Sequence, residues 1–223
     1  IAAVVADQVG LLWGVQHTQY EVGLVPQITA WLLAAMVVAG AVFGLAGKLF
    51  ADGTHALSGL MKKHIAYAPL RPLLGGAVIA AVVMWGGFDR YIGLGIPVMV
   101  EAFAHPLAPT DFLGKIVFTI ASLGSGFKGG EVTPLFYIGA TLGNALAPLL
   151  DVPFTLLAAV GFVAVFAGAA NTPIASTLMA VELFGAEIGV FAALACVMSY
   201  VCSGHTGIYR AQRVAHRKTN TPS

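Results

Sequence analysis

Residues 124–136 read Gly124-Ser-Gly-Phe-Lys128-Gly129-Gly130-Glu131-Val-Thr133-Pro134-Leu-Phe136, a glycine-rich break that runs into a proline-marked apolar segment. Thr133 is a residue that can cap a helix whose first turn begins at Pro134. Gly129 and Gly130 let a backbone approach a ligand and turn amide N–H groups inward. A helix N-terminus carries partial positive charge, so this stretch reads as a natural anion site. Glu131 lies inside it. Ionised, its carboxylate competes with an anion for the same donors. Protonated, it leaves the site to the anion and becomes a proton carrier. That exclusion is a physical basis for exchanging an anion against a proton. The bland alternative is a structural capping cluster at a loop. The four glycines do not fit the dinucleotide fingerprint, and no strand precedes them.

Outward from this break, the chain reads as membrane protein. Of 223 residues, 58% are hydrophobic and 9% charged, and mean hydropathy is +0.88. Soluble domains carry roughly a quarter charged residues, so this chain lacks the polar exterior of a soluble enzyme. The net charge of +1 and the scattered basic residues argue against nucleic-acid binding. Residues 22–47, 132–150, 152–181 and 188–209 are charge-free, and 72–88 form another apolar block. A spanning helix needs about 20 such residues. The 152–181 run is expected to break at Asn171-Thr172-Pro173. Segments 91–103 and 111–123 are shorter or interrupted. Broken helices are tolerated in membranes where they line a cavity, and they place helix ends where ions can be held. The fold expected is an all-α polytopic membrane domain over 1–223, with a polar tail at 210–223. Lys48, Lys62, Lys63 and Arg71 cluster round one loop, and Arg210, Arg213, Arg217 and Lys218 in the tail. The positive-inside tendency makes both cytoplasmic.

Other polar residues draw weaker readings. Tyr209, after the break at 204–207, can donate a hydrogen bond to a halide or anchor at the interface. Glu182 reads as structural, and Glu187 as a loop residue. His17 and Glu21 share a helical face by spacing but have no third ligand, so no metal is expected. His55, His64, His105 and His216 are given no role. Cys196 and Cys202 read as buried thiols that do not face each other. No nucleophile motif suggests an enzyme, and no cofactor is expected.

The 124–136 motif, followed by Ile138-Gly-Ala-Thr-Leu-Gly-Asn144, resembles the C-terminal-half signature of the CLC anion channels and proton-coupled antiporters. The Glu-Val-Thr-Pro version is similar to the fluoride-transporting subgroup. Residues 168–182 resemble the family's next helix pair, and Gly207-Ile-Tyr209 its final helix. The resemblance implies the second repeat of an inverted-repeat fold with short broken helices. It places Glu131 and Thr133 on a fluoride and proton route and Tyr209 against the anion. It makes Phe136 or Tyr137 an aromatic edge for fluoride, and 1–15 and 173–202 the contact helices of a homodimer. The implied location is a bacterial inner membrane with a cytoplasmic C-terminus. Chloride transport in the same fold, a membrane enzyme, and a non-transporting fragment are the competing readings. The gating Gly-Arg/Lys-Glu-Gly segment of the family's first half is not in this sequence. Because the chain opens at Ile1 inside an apolar pattern, a longer parent chain is expected.

Overall fold

The computed structural model describes residues 2–15, 20–209 and 212, and among them it is all-helical. The helices are α1 (Ala2–Leu12), α2 (Ala30–His64), α3 (Leu70–Gly86), α4 (Ile96–Ala104), α5 (Asp111–Gly124), α6 (Val132–Leu150), α7 (Phe154–Ala170), α8 (Pro173–Phe184) and α9 (Gly189–Cys202). By length and apolarity alone, α2 and α6 can cross a membrane, while α3, α7 and α8 are shorter apolar helices.

α7 is the hub. It is apolar on all sides, and 14 of its 17 residues are buried. A helix without a polar face must be surrounded, and α2, α6, α8 and α9 surround it. Small residues permit the closeness. A β-carbon on Gly139 of α6 would strike the Gly161 carbonyl of α7, and one on Gly161 would strike that of Gly139. Gly143 meets the Leu157 carbonyl in the same way. Small residues four apart allow such backbone contact where lipid supplies no hydrophobic drive. Ser199 of α9 reinforces the hub, its hydroxyl donating 2.6 Å to the Ala164 carbonyl.

The expected break at 171–173 is present. Asn171 closes α7 in the left-handed conformation (φ 59°), and Pro173 opens α8. The first apolar run behaves differently from its reading. Residues 22–29 are not helical: Gly23 has φ 71°, Pro26 follows, and Thr29 caps α2 by accepting the Leu32 amide at 3.2 Å. α2 then passes Gly47 and continues to His64, giving 35 residues. At 1.5 Å per residue it is roughly 50 Å long, more than a hydrocarbon core of about 30 Å. The charges from Lys48 onward therefore mark where the helix leaves the apolar region, not where it stops.

Candidate functional site

The site starts where α5 ends. The Ser125 amide and hydroxyl both return to the Ala121 carbonyl, at 3.2 and 2.6 Å, and the Gly126 amide to Leu123 at 3.0 Å. Gly126 takes φ 103°, a left-handed value that glycine accepts without strain. Ser125 is buried where its side chain abuts Gly75 of α3. Beyond this anchored turn, residues 126–130 are exposed. Nothing lies within 4 Å of where a Gly130 β-carbon would be, and only Leu123 lies that near Gly129. Both glycines keep their backbone open.

The helix start differs from its expected place. α6 begins at Val132, so the cap position belongs to Glu131, and Thr133 sits second in the first turn. Pro134 is third, where its missing N–H is tolerated because first-turn amides have no intrahelical acceptor. Thr133 is therefore not the cap. Its hydroxyl stands instead on the half-buried rim of the helix end.

Glu131 lines a cavity of about 480 Å³ with Lys62, Arg71 and Lys128, as well as His55 and Ile208. Of the basic cluster round the α2–α3 loop, Lys62 and Arg71 line this cavity, whereas Lys48 lies against Gly204. Arg71 is fixed there, donating to the carbonyls of Ile65 (2.8 Å) and Ala66 (3.3 Å). Three cations and a helix N-terminus face one carboxylate, an arrangement that concentrates anions at the mouth. Tyr209 is not on the cavity wall. It adjoins Ile208, which is, and is 46% exposed.

The two aromatic candidates face different surroundings. Phe136 is half-buried and stacks on Phe162 of α7 (centroids 4.3 Å, 15°), with Phe166 edge-on at 5.5 Å. Tyr137 is fully buried under a polar knot that sequence reading missed. Lys115 lies 4.9 Å from its ring centroid and donates to the carbonyls of Tyr91 (3.1 Å) and Gly93 (2.7 Å). Asp111 accepts from Arg90 at 2.8 Å and from the Tyr91 hydroxyl at 3.0 Å. Both Asp111 and Lys115 are 1% exposed. The available signal was a pair of opposite charges, i and i+4, in an otherwise apolar segment. Asn144 ties the end of α4 to α6, donating to the Ala102 and His105 carbonyls at 2.8 and 3.0 Å.

Glu21, Glu182 and Glu187 are exposed, whereas His17 and the basic tail residues lie outside the described residues. Among the described residues, no group of three His, Cys, Asp or Glu side chains could hold a metal. Cys196 is buried and Cys202 half-buried, both free thiols.

Short, broken helices around a helix end ringed by cations are features of membrane transport domains. The family profile for voltage gated chloride channels matches residues 1–204, and the chain belongs to that family. It is 61% identical to a chloride/fluoride channel protein of Pseudomonas syringae pv. tomato, over all of this chain and 50% of that protein. It is 30% identical to the voltage-gated ClC-type chloride channel ClcB of Escherichia coli O9:H4, over 97% of this chain and 55% of that one. The crystal structure of a CLC-type fluoride/proton antiporter superposes with a TM-score of 0.89 at 31% identity, covering 94% of this chain and 53% of the other. The chain spans about half the length of the curated relatives it matches.

Proposed function

We propose that this chain is the second-repeat half of a fluoride exporter that exchanges fluoride for protons. The observation that carries the reading is Glu131 at the cap position of α6, inside a cavity ringed by Lys62, Arg71 and Lys128. The helix N-terminus and the cations draw fluoride in. Glu131 holds a proton when the anion takes the amides, and gives it up when the anion leaves. Thr133, on the same rim, offers a hydroxyl to the anion. Tyr209 offers a second from the segment beside Ile208. Of the two aromatics, Phe136 is the better placed for fluoride, because Tyr137 is occupied beneath Lys115. The remaining half of the site comes from a first repeat carried by a longer parent chain.

The parent works as a homodimer in a bacterial inner membrane, with a cytoplasmic C-terminus. Exposed apolar residues on α8 and α9, among them Ile174 (77%), Leu178 (65%) and Val190 (50%), support that contact face. The chloride-channel names of several relatives favour chloride as the competing cargo.

The parent chain reconstituted in liposomes tests the reading. Fluoride efflux, followed by electrode with internal pH read alongside, is expected to exceed that of empty liposomes and to move protons in the opposite direction. Glu131→Gln is expected to abolish the proton movement. Chloride efflux without fluoride efflux supports the competing cargo, and unaltered coupled exchange in Glu131→Gln removes Glu131 from the mechanism.

A further inference from the structure

After Ser203 the chain has no helix or strand of its own up to Tyr209. Backbone groups in such a stretch need partners from elsewhere, and here α2 and α7 supply them. Lys48, Asp52 and His55 follow the i, i+4, i+7 spacing that places residues on one helix face. The stem of Lys48 flanks Gly204, which takes φ 73°. Asp52 Oδ1 accepts from the Thr206 hydroxyl at 2.7 Å. His55 Nε2 donates to the Gly207 carbonyl at 3.0 Å. From the α7 side, the Ala169 carbonyl accepts the Ile208 amide at 2.9 Å, and Ile208 is buried. The Thr206 side chain, the Gly207 carbonyl and the Ile208 amide are therefore each held by a residue far away in sequence.

We propose that Asp52 and His55 form a latch that positions the 204–209 strap, and through it the hydroxyl of Tyr209, for anion contact. The inference rests on the reading of Tyr209 as an anion ligand. A ligand on a strap without its own hydrogen-bonded scaffold is only as well placed as the groups that support it. α2 is suited to the task because its preceding turns are locked in the core, where Gly40 and Gly44 meet α9 backbone directly and Gly47 meets Val165 and Ala169 of α7. His55 also lines the cavity that holds Glu131, so the latch joins the strap to the wall of the proposed proton site. Asp52 and His55 are positioning residues, since neither is assigned contact with the anion.

The test uses the full parent chain in liposomes, with fluoride as the probe, and hydrogen exchange on peptides covering 203–209. His55→Leu and Thr206→Val remove one hydrogen bond each, and His55→Gln and Thr206→Ser restore a donor. Each removal is expected to speed amide exchange in 203–209 by about fivefold or more, the factor one net hydrogen bond represents. It is also expected to raise the fluoride concentration for half-maximal flux while leaving the proton-to-fluoride ratio unchanged, and the restoring variants are expected to reverse both effects. Unchanged exchange in 203–209 overturns the latch, as does exchange that rises throughout α2, which marks a general folding defect. If the unaltered protein moves no fluoride, the functional reading fails, and exchange alone still decides whether the latch exists.

Discussion

A carboxylate and a buried lysine carry most of the chemistry at the scale of single residues. Glu131 gains its significance from position: it holds the cap position of α6, where in the proposed reading its carboxylate competes with an anion for the helix-end amides. Thr133 sits one residue beyond Val132, so a β-branched residue without a hydroxyl tests the side-chain oxygen alone. Thr133→Val is expected to slow fluoride flux, Thr133→Ser to preserve it, and electrode traces in liposomes distinguish the two. Lys115 poses the opposite case, a cation with a structural duty. Its ammonium is satisfied by two carbonyls and the Tyr137 ring. Lys115→Met is expected to destabilise the fold by about 1–2 kcal/mol, because the Tyr91 and Gly93 carbonyls lose their donor. Thermal unfolding in detergent measures it.

Close backbone contact governs at the scale of helices. α6 and α7 touch where Gly139 and Gly161 face each other. Gly139→Ala is expected to cost about 1–3 kcal/mol, since the added carbon meets backbone that cannot move aside. Gly59 in α2 is the control, with open space around its β-carbon position and helical backbone. Gly59→Ala is expected to be neutral or to stabilise by up to about 1 kcal/mol. The two melting temperatures should move in opposite directions or only the first should move. The loop between α5 and α6 matters in a different way. It is fixed at Ser125, Gly126 and Phe127, whose amide donates to the Ser122 carbonyl at 3.3 Å, and is open at Gly129 and Gly130, so a rigid anchor presents an accessible backbone.

Charge distribution and assembly belong to the whole molecule. Lys62, Arg71 and Lys128 reach one cavity from three separate stretches of chain. A cleft of one sign raises the local concentration of its counter-ion. Replacing both Lys62 and Lys128 by glutamine is expected to raise the fluoride concentration for half-maximal flux by roughly threefold to tenfold. High salt should shrink the difference, since screening weakens the field of the native pair. On the proposed contact face, Ile174→Gln with Leu178→Gln is expected to shift the dimer towards monomer, read by light scattering in detergent.

The sequence by itself determined that this is an all-helical membrane chain, because apolar runs with so few charges leave no other way to satisfy the backbone. It determined the break at 171–173, since proline and asparagine impose it locally, and it marked Gly124 to Phe136 as the candidate site. Tertiary structure decided what local rules do not reach. The cap of α6 moved from Thr133 to Glu131, because a first-turn proline is compatible with more than one helix start. Residues 22–29 left the helix, and α2 ran past its charges, because packing against α5, where Gly53 meets Ile120 and Leu57 meets Gly124, sustains it beyond Lys48. The pairing of Lys115 with Tyr137, of Asp111 with Arg90, and of Asp52 and His55 with the strap before Tyr209 joins residues from about 20 to 150 positions apart. No periodicity records such contacts, because they depend on how helices pack and not on how any one of them forms.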